Sequence, residues 1–164
     1  MASAHSHALR PLPLRRSRRH WTASETARYL GAVSVMLVGA VHAQQYYDAY
    51  FSVVPTIGTL FLLSFVGAGA VGATLFAPLR RFGRIGDAIL VLAALGGIGI
   101  AVGTLVSLLI SEYTPLFGFM ESGYRLAVDL TLLFDVMTTA FLGFFVLAVG
   151  RRLVHDITHE RRSQ

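Results

Sequence analysis

His42 and Asp135 are the ionisable side chains that fall well inside long apolar runs of this chain, and any chemistry would start with them. An imidazole facing a carboxylate away from water can hold and pass a proton, because small changes in surroundings decide which group carries it. The same two groups can instead form a structural hydrogen bond with the carboxyl neutral, and both readings stay open at this stage. Taking the first span as residues 28–47 and the last as 126–150, the helical rise puts His42 about 7 Å and Asp135 about 4 to 5 Å from the midplane, toward the same end. Glu121 and Tyr50, which flank the runs at that end, complete a candidate intramembrane polar site of His42, Asp135, Glu121 and Tyr50. Gln44, Gln45, Thr104, Ser107 and Thr131 would add polar lining.

Other constellations are weaker. His155 and His159 have the four-residue spacing of a helical metal pair, but no third ligand of fixed position accompanies them, so no metal is expected. No serine–histidine–acid set or paired carboxylates stand out, and the expectation is a protein that is not an enzyme. Gly67-Ala68-Gly69 has no strand beside it, so a phosphate loop is not indicated. With no cysteine in the chain, disulfides, iron–sulfur clusters and thiolate-bound zinc are excluded. His42 is the one histidine inside an apolar run, which leaves a haem short of a second axial ligand within the chain. No cofactor is expected.

The elements that must position these groups are the runs themselves, residues 27–43, 53–79, 85–110 and 126–149. Each is near or above the ~20 residues that a helix needs to cross ~30 Å of hydrocarbon. None shows the polar stripe of a soluble amphipathic helix or the alternation of a barrel strand. With 54% hydrophobic and 14% charged residues, the chain has too little polar surface to cover a soluble globule. The fold class predicted is all-α, an antiparallel bundle of four transmembrane helices.

Orientation follows from arginine, since the chain has no lysine. Thirteen of the fourteen arginines lie before or at the start of the first run, between the second and third, or after the fourth; Arg125 alone lies on the other side. Positive charge marks the cytoplasmic side, so both termini are expected inside a bacterial inner (plasma) membrane. Residues 1–26 read as a disordered basic cytoplasmic arm, 27–150 as the transmembrane domain and 151–164 as a basic cytoplasmic tail. The net charge of +5 sits beside the runs rather than on a folded soluble surface, so lipid rather than nucleic acid is the expected partner. A second reading of the beginning is open: a basic stretch, an apolar run and Val41-His42-Ala43 also fit a signal peptide cleaved before Gln44.

Small residues recur every fourth position. Ser64, Ala68 and Gly72 mark one face of the second run; Gly97, and Gly99 with Gly103 as a GxxxG, mark the third. Where side chains are missing two backbones can approach, and lipid supplies no hydrophobic effect to do the same work. Close packing of the second and third helices is expected, with a flat ligand or a dimer face as the alternative use of the glycines.

The run His-Ala-Gln-Gln-Tyr-Tyr-Asp-Ala-Tyr from His42, then Val54-Pro55-Thr56-Ile57-Gly58-Thr59-Leu60-Phe61, and Leu116-Phe117-Gly118-Phe119-Met120-Glu121 later, resemble a group of uncharacterised small four-span membrane proteins of actinobacteria. The resemblance covers residues 27–150 and attaches no activity. It implies that shared polar positions gather at one end of the spans, with Met120 standing where an arginine would be expected. The functional expectation is a non-enzymatic accessory or interaction subunit, partnered by another membrane protein or a second copy of the chain. The alternative is a small transporter or quinone-linked redox component using the polar site.

Overall fold

In the computed structural model, which describes residues 22–48, 51–115 and 126–162 (backbone alone at residue 51 and at 152–162), the chain is four long helices joined by short turns. In order these are α1 (Ala23–Asp48), α2 (Pro55–Phe76), α3 (Gly83–Tyr113) and α4 (Leu126–Arg162). Single 3₁₀ turns, Phe51–Val53 and Leu79–Phe82, lead into α2 and α3, and no strand occurs among the described residues. All four helices are long and apolar enough to cross a membrane.

Three helices overrun the apolar runs, for local reasons. α1 starts at Ala23 because Thr22 and Glu25 form a capping box: the Glu25 N–H donates to Thr22 Oγ1 at 3.4 Å and the Thr22 N–H to Glu25 Oε2 at 3.5 Å. Its far end continues through Asp48, so Gln44, Gln45, Tyr46 and Tyr47 are helical rather than loop. α3 likewise carries Ser111, Glu112 and Tyr113. α4 continues to Arg162, since no Gly or Pro follows Gly150, and the expected tail therefore extends the last helix. α2 stops at Phe76 instead of residue 79: Ala77 precedes Pro78 and takes the extended conformation that a following proline favours.

The register of close approaches makes neighbouring helices antiparallel. A Cβ placed on Gly39 would stand 2.8 Å from the Ala68 Cβ, and one on Gly72 would run into Met36, so α1 and α2 run antiparallel with glycine against small or flexible side chains. Gly31 admits Leu142 of α4 in the same way. α1 packs most extensively, against α2 and α4; α3 packs against α4, while α2 and α3 form the loosest seam between adjacent helices. This corrects the expected partner of the small-residue stripes. Ala68 and Gly72 receive α1 rather than α3, and Gly97 receives Leu142 together with Val71. Gly99 and Gly103 face open space, with nothing within 4 Å of an added Cβ.

The end at which α1 begins and α4 finishes is called the lower end below. Its interior is filled by Leu75, Leu90, Leu142 and Phe145, all fully buried, with Ala27, Ala32, Ala94 and Val149 around them. The turn beneath α2 is tight: Gly83 has φ +61°, and a Cβ on Gly86 would fall on the Leu79 carbonyl. Arg80 in this turn reaches Glu25 of α1 at 3.4 Å and Asp87 of α3 at 3.7 Å.

Gly39→Leu and Gly72→Leu should each lower the unfolding midpoint in detergent, by the ~1–3 kcal/mol typical of overpacking. Gly99→Ala should hold or raise it, since alanine gains about 1 kcal/mol of helix propensity over glycine. An equal loss at all three positions would show that the α2–α3 seam is closed.

Candidate functional site

The upper half of the bundle is not filled. A cavity of about 360 Å³ lies between all four helices, walled by apolar side chains such as Ile57, Leu60, Phe61 and Val128. Polar groups enter it from α1 (His42, Gln45), α2 (Ser64), α3 (Thr104, Ser107, Ser111) and α4 (Thr131). Leu60, Gly99, Gly103 and Ser107 line it and are also exposed, whereas His42 and Val128 behind them are buried. The mouth is therefore the loose α2–α3 seam, and the missing side chains of Gly99 and Gly103 help to hold it open.

His42 is held from two sides. Its Nδ1 lies 2.8 Å from the Val38 carbonyl one turn back. A carbonyl only accepts, so Nδ1 carries the proton, and in the neutral ring Nε2 is left as an acceptor. The ring meets Phe61 of α2 edge to face, centroids 5.1 Å apart. The hydroxyls of the site point the same way chemically. Thr131 donates to the Ala127 carbonyl at 2.9 Å and Ser111 to that of Leu108 at 2.7 Å, so their protons are engaged and their lone pairs remain. His42, Thr131 and Ser111 thus present acceptors to the cavity. Among the described residues no serine or threonine hydroxyl bonds to His42, so no activated nucleophile is assembled there.

Asp135 stands behind this lining, fully buried. Its Oδ2 accepts a hydrogen bond of 2.7 Å from Thr104 Oγ1 on α3, and Thr104 itself faces the cavity. The hydroxyl of Thr104 also lies 2.9 Å from the Ala101 carbonyl. Neither a hydrogen bond nor an ion pair joins Asp135 to His42; each has a different partner. The expected pair is thus replaced by Asp135–Thr104. Asp135 Oδ1 and the hydroxyl of Thr138, one turn further down α4, have no hydrogen-bond partner although both residues are fully buried.

Of the remaining candidates, Ser64 lines the cavity, while Ala68, Gly72 and Gly97 are packing positions away from it. Tyr50 and Glu121, with Met120, lie outside the described residues, as do the side chains of His155 and His159. Thr138 was missed, because a threonine in an apolar helix carries no signal until its neighbours are known. Arg28, one of the arginines that set the expected orientation, is buried: Nη2 donates to the Tyr29 hydroxyl at 2.6 Å, and Nε and Nη1 have no hydrogen-bond partner. Among the described residues no group of three His, Cys, Asp or Glu side chains could hold a metal. Comparison of the chain with family models, curated proteins and solved structures finds no match.

The two contacts make opposite forecasts for double-mutant cycles read by unfolding in detergent. Thr104→Val with Asp135→Asn should show a coupling of about 0.5–3 kcal/mol, as bonded neighbours do. His42→Ala with Asp135→Asn should add to within ~0.5 kcal/mol. The reverse ranking would put His42, not Thr104, on the carboxylate.

Proposed function

We propose that this chain is a multi-pass protein of the bacterial inner membrane, both termini cytoplasmic, serving as a non-enzymatic accessory subunit that binds an amphipathic small molecule carrying a hydrogen-bond donor. Membrane embedding is supported by the outward faces of the helices. Leu63, Leu92 and Leu147 are 62%, 71% and 64% exposed, and a soluble monomer does not display apolar surface of this kind on every helix. Orientation is supported by thirteen of fourteen arginines falling at one end of the bundle's sequence pattern. In that orientation the cavity opens toward the outer leaflet.

The binding reading rests on one observation: acceptor groups on apolar walls in a cavity with a lateral mouth. Apolar walls take the body of a ligand, and a few placed polar atoms choose its head. Nε2 of His42 and the lone pairs of Thr131 and Ser111 present acceptors that suit a head carrying a donor, such as a hydroxyl, an amine or a quinol. A ligand that arrives through the α2–α3 seam need not leave the bilayer. The lower half, packed by Phe145, Leu142 and Leu90, offers no continuation, which favours a binding pocket over a channel.

Native mass spectrometry of the protein in mild detergent should detect a bound organic molecule, and Gly103→Leu, which projects a side chain into the mouth, should lose it. Retention of the molecule by Gly103→Leu and by Gly99→Leu would locate it elsewhere; a wild-type protein with none would end the reading.

Topology has a separate test. A reporter fused after Gln164 should be active only as a cytoplasmic fusion, and one inserted beside Asp48 only as an external one; an external C-terminus would sink the orientation. Intact mass should retain the residues before Gln44, since α1 contributes the fully buried Val35 and Val38 to the bundle. A mature chain beginning at Gln44 would establish the signal peptide.

A further inference from the structure

Two buried oxygens in this bundle have nothing to bond to, and they lie on one face of one helix. Asp135 Oδ1 and Thr138 Oγ1 are both without a partner, both residues have no exposed surface, and their three-residue spacing stacks them on consecutive turns of α4. An unmet polar atom in such a place is costly, more so when charged, so two adjacent ones call for an occupant. Among the described residues no cation pairs with the carboxylate; the pairs of Arg80 with Glu25 and with Asp87 lie at the lower end.

We propose that Asp135, Thr138 and Thr104 form a binding site for a desolvated monovalent metal cation of the sodium type. The donor set selects the class. Every group is an oxygen, which suits a hard cation, and among the described residues no group of three His, Cys, Asp or Glu side chains offers a transition-metal site. One carboxylate with neutral hydroxyls balances a single positive charge and leaves a divalent ion undercompensated. Thr104 orients the carboxylate by donating to Oδ2, so that Oδ1 is the oxygen left for the ion. Thr131, one turn above Asp135 on α4, has its proton engaged by the Ala127 carbonyl, and its lone pairs line a polar approach from the cavity. The ion would reach Asp135 past Thr104, the one residue that both faces the cavity and touches the carboxylate.

The rival occupant is a proton on Oδ1, donated to Thr138, which would satisfy the same two atoms without a metal. Sodium dependence separates the two. The full-length protein in non-ionic detergent is melted at fixed pH in NaCl and in choline chloride of equal ionic strength. The proposal expects a saturable upward shift of the midpoint with sodium, because an ion that binds only the folded state stabilises it. Asp135→Asn should abolish the shift. Thr104→Val should weaken the apparent sodium affinity by about tenfold or more, the scale seen when a group orienting a metal ligand is removed. Thr138→Val guards against misfolding as an explanation. In choline it should be at least as stable as the wild type, since it deletes an unpartnered hydroxyl, while in sodium it should fall behind. Equal midpoints in NaCl and choline chloride for the wild type would overturn the site, as would a sodium shift that survives in both Asp135→Asn and Thr138→Val. The cavity reading is tested by a retained organic molecule, so either can fail alone.

Discussion

Everything in this bundle depends on how closely α1 can approach its neighbours. Helices this apolar on their outer faces gain little from hiding side chains from one another when the surroundings are lipid, and dispersion between surfaces in contact must hold them. Such contact needs backbones brought near each other. Gly39 against Ala68, Gly72 against Met36 and Gly31 against Leu142 supply that on two sides of α1, where any larger residue would collide. α1 is thereby wedged between α2 and α4, and its inward face (Ala32, Val35, Val38) is fully buried.

The arrangement has a geometric consequence. A four-helix ring tightened around α1 cannot be equally tight on the opposite side unless the residues there are equally small and complementary. At the lower end they are: Gly97 takes Leu142, and Leu75, Leu90 and Phe145 fill the interior. At the upper end α2 and α3 are held apart by nothing more than their own loose fit, and Gly99 and Gly103 leave space rather than closing it. The cavity is therefore the counterpart of the α1 interface. His42, Thr104, Ser111 and Thr131 around it each have a backbone carbonyl or the Asp135 carboxylate as partner. Thr138, deeper on α4, has none.

What was legible in the residues followed from periodicity and length. Four helices, their antiparallel order and the interior direction of Asp135 could all be read, because hydropathy and the cost of a lipid-facing carboxylate depend on one helix at a time. Partners could not. The four-residue spacing of Ala68 and Gly72 announces a close approach but not by whom, and assigning it to α3 followed chain order where α1 was equally adjacent. Depth alone suggested His42 for Asp135; rotation about the helix axis, which depth does not measure, turned His42 to Phe61 and its own Val38 carbonyl. Helix ends were displaced where a local device outweighed hydropathy, as at Thr22–Glu25 and at Ala77–Pro78. Thr138 and the buried Arg28 carry no pattern at all, since only packing makes them unusual.

The two ends of the interior are chemically opposed, and this bears on how a ligand would meet them. At the lower end the buried group is the Arg28 guanidinium, which stays charged and can only donate, beside the Arg80 network to Glu25 and Asp87. At the upper end the buried group is the Asp135 carboxylate, and the His42 ring and hydroxyls before it offer acceptors. Between them lies a packed apolar layer from Leu142 to Phe145, one helical turn in depth, with Leu75 and Leu90 beside it. A cation or donor stabilised above that layer meets a fixed positive charge below it, and an anion drawn to Arg28 would face a carboxylate on the way up. Neither sign of charge finds a favourable path through, and this opposition supports the proposed pocket at the upper end over a passage from one end to the other.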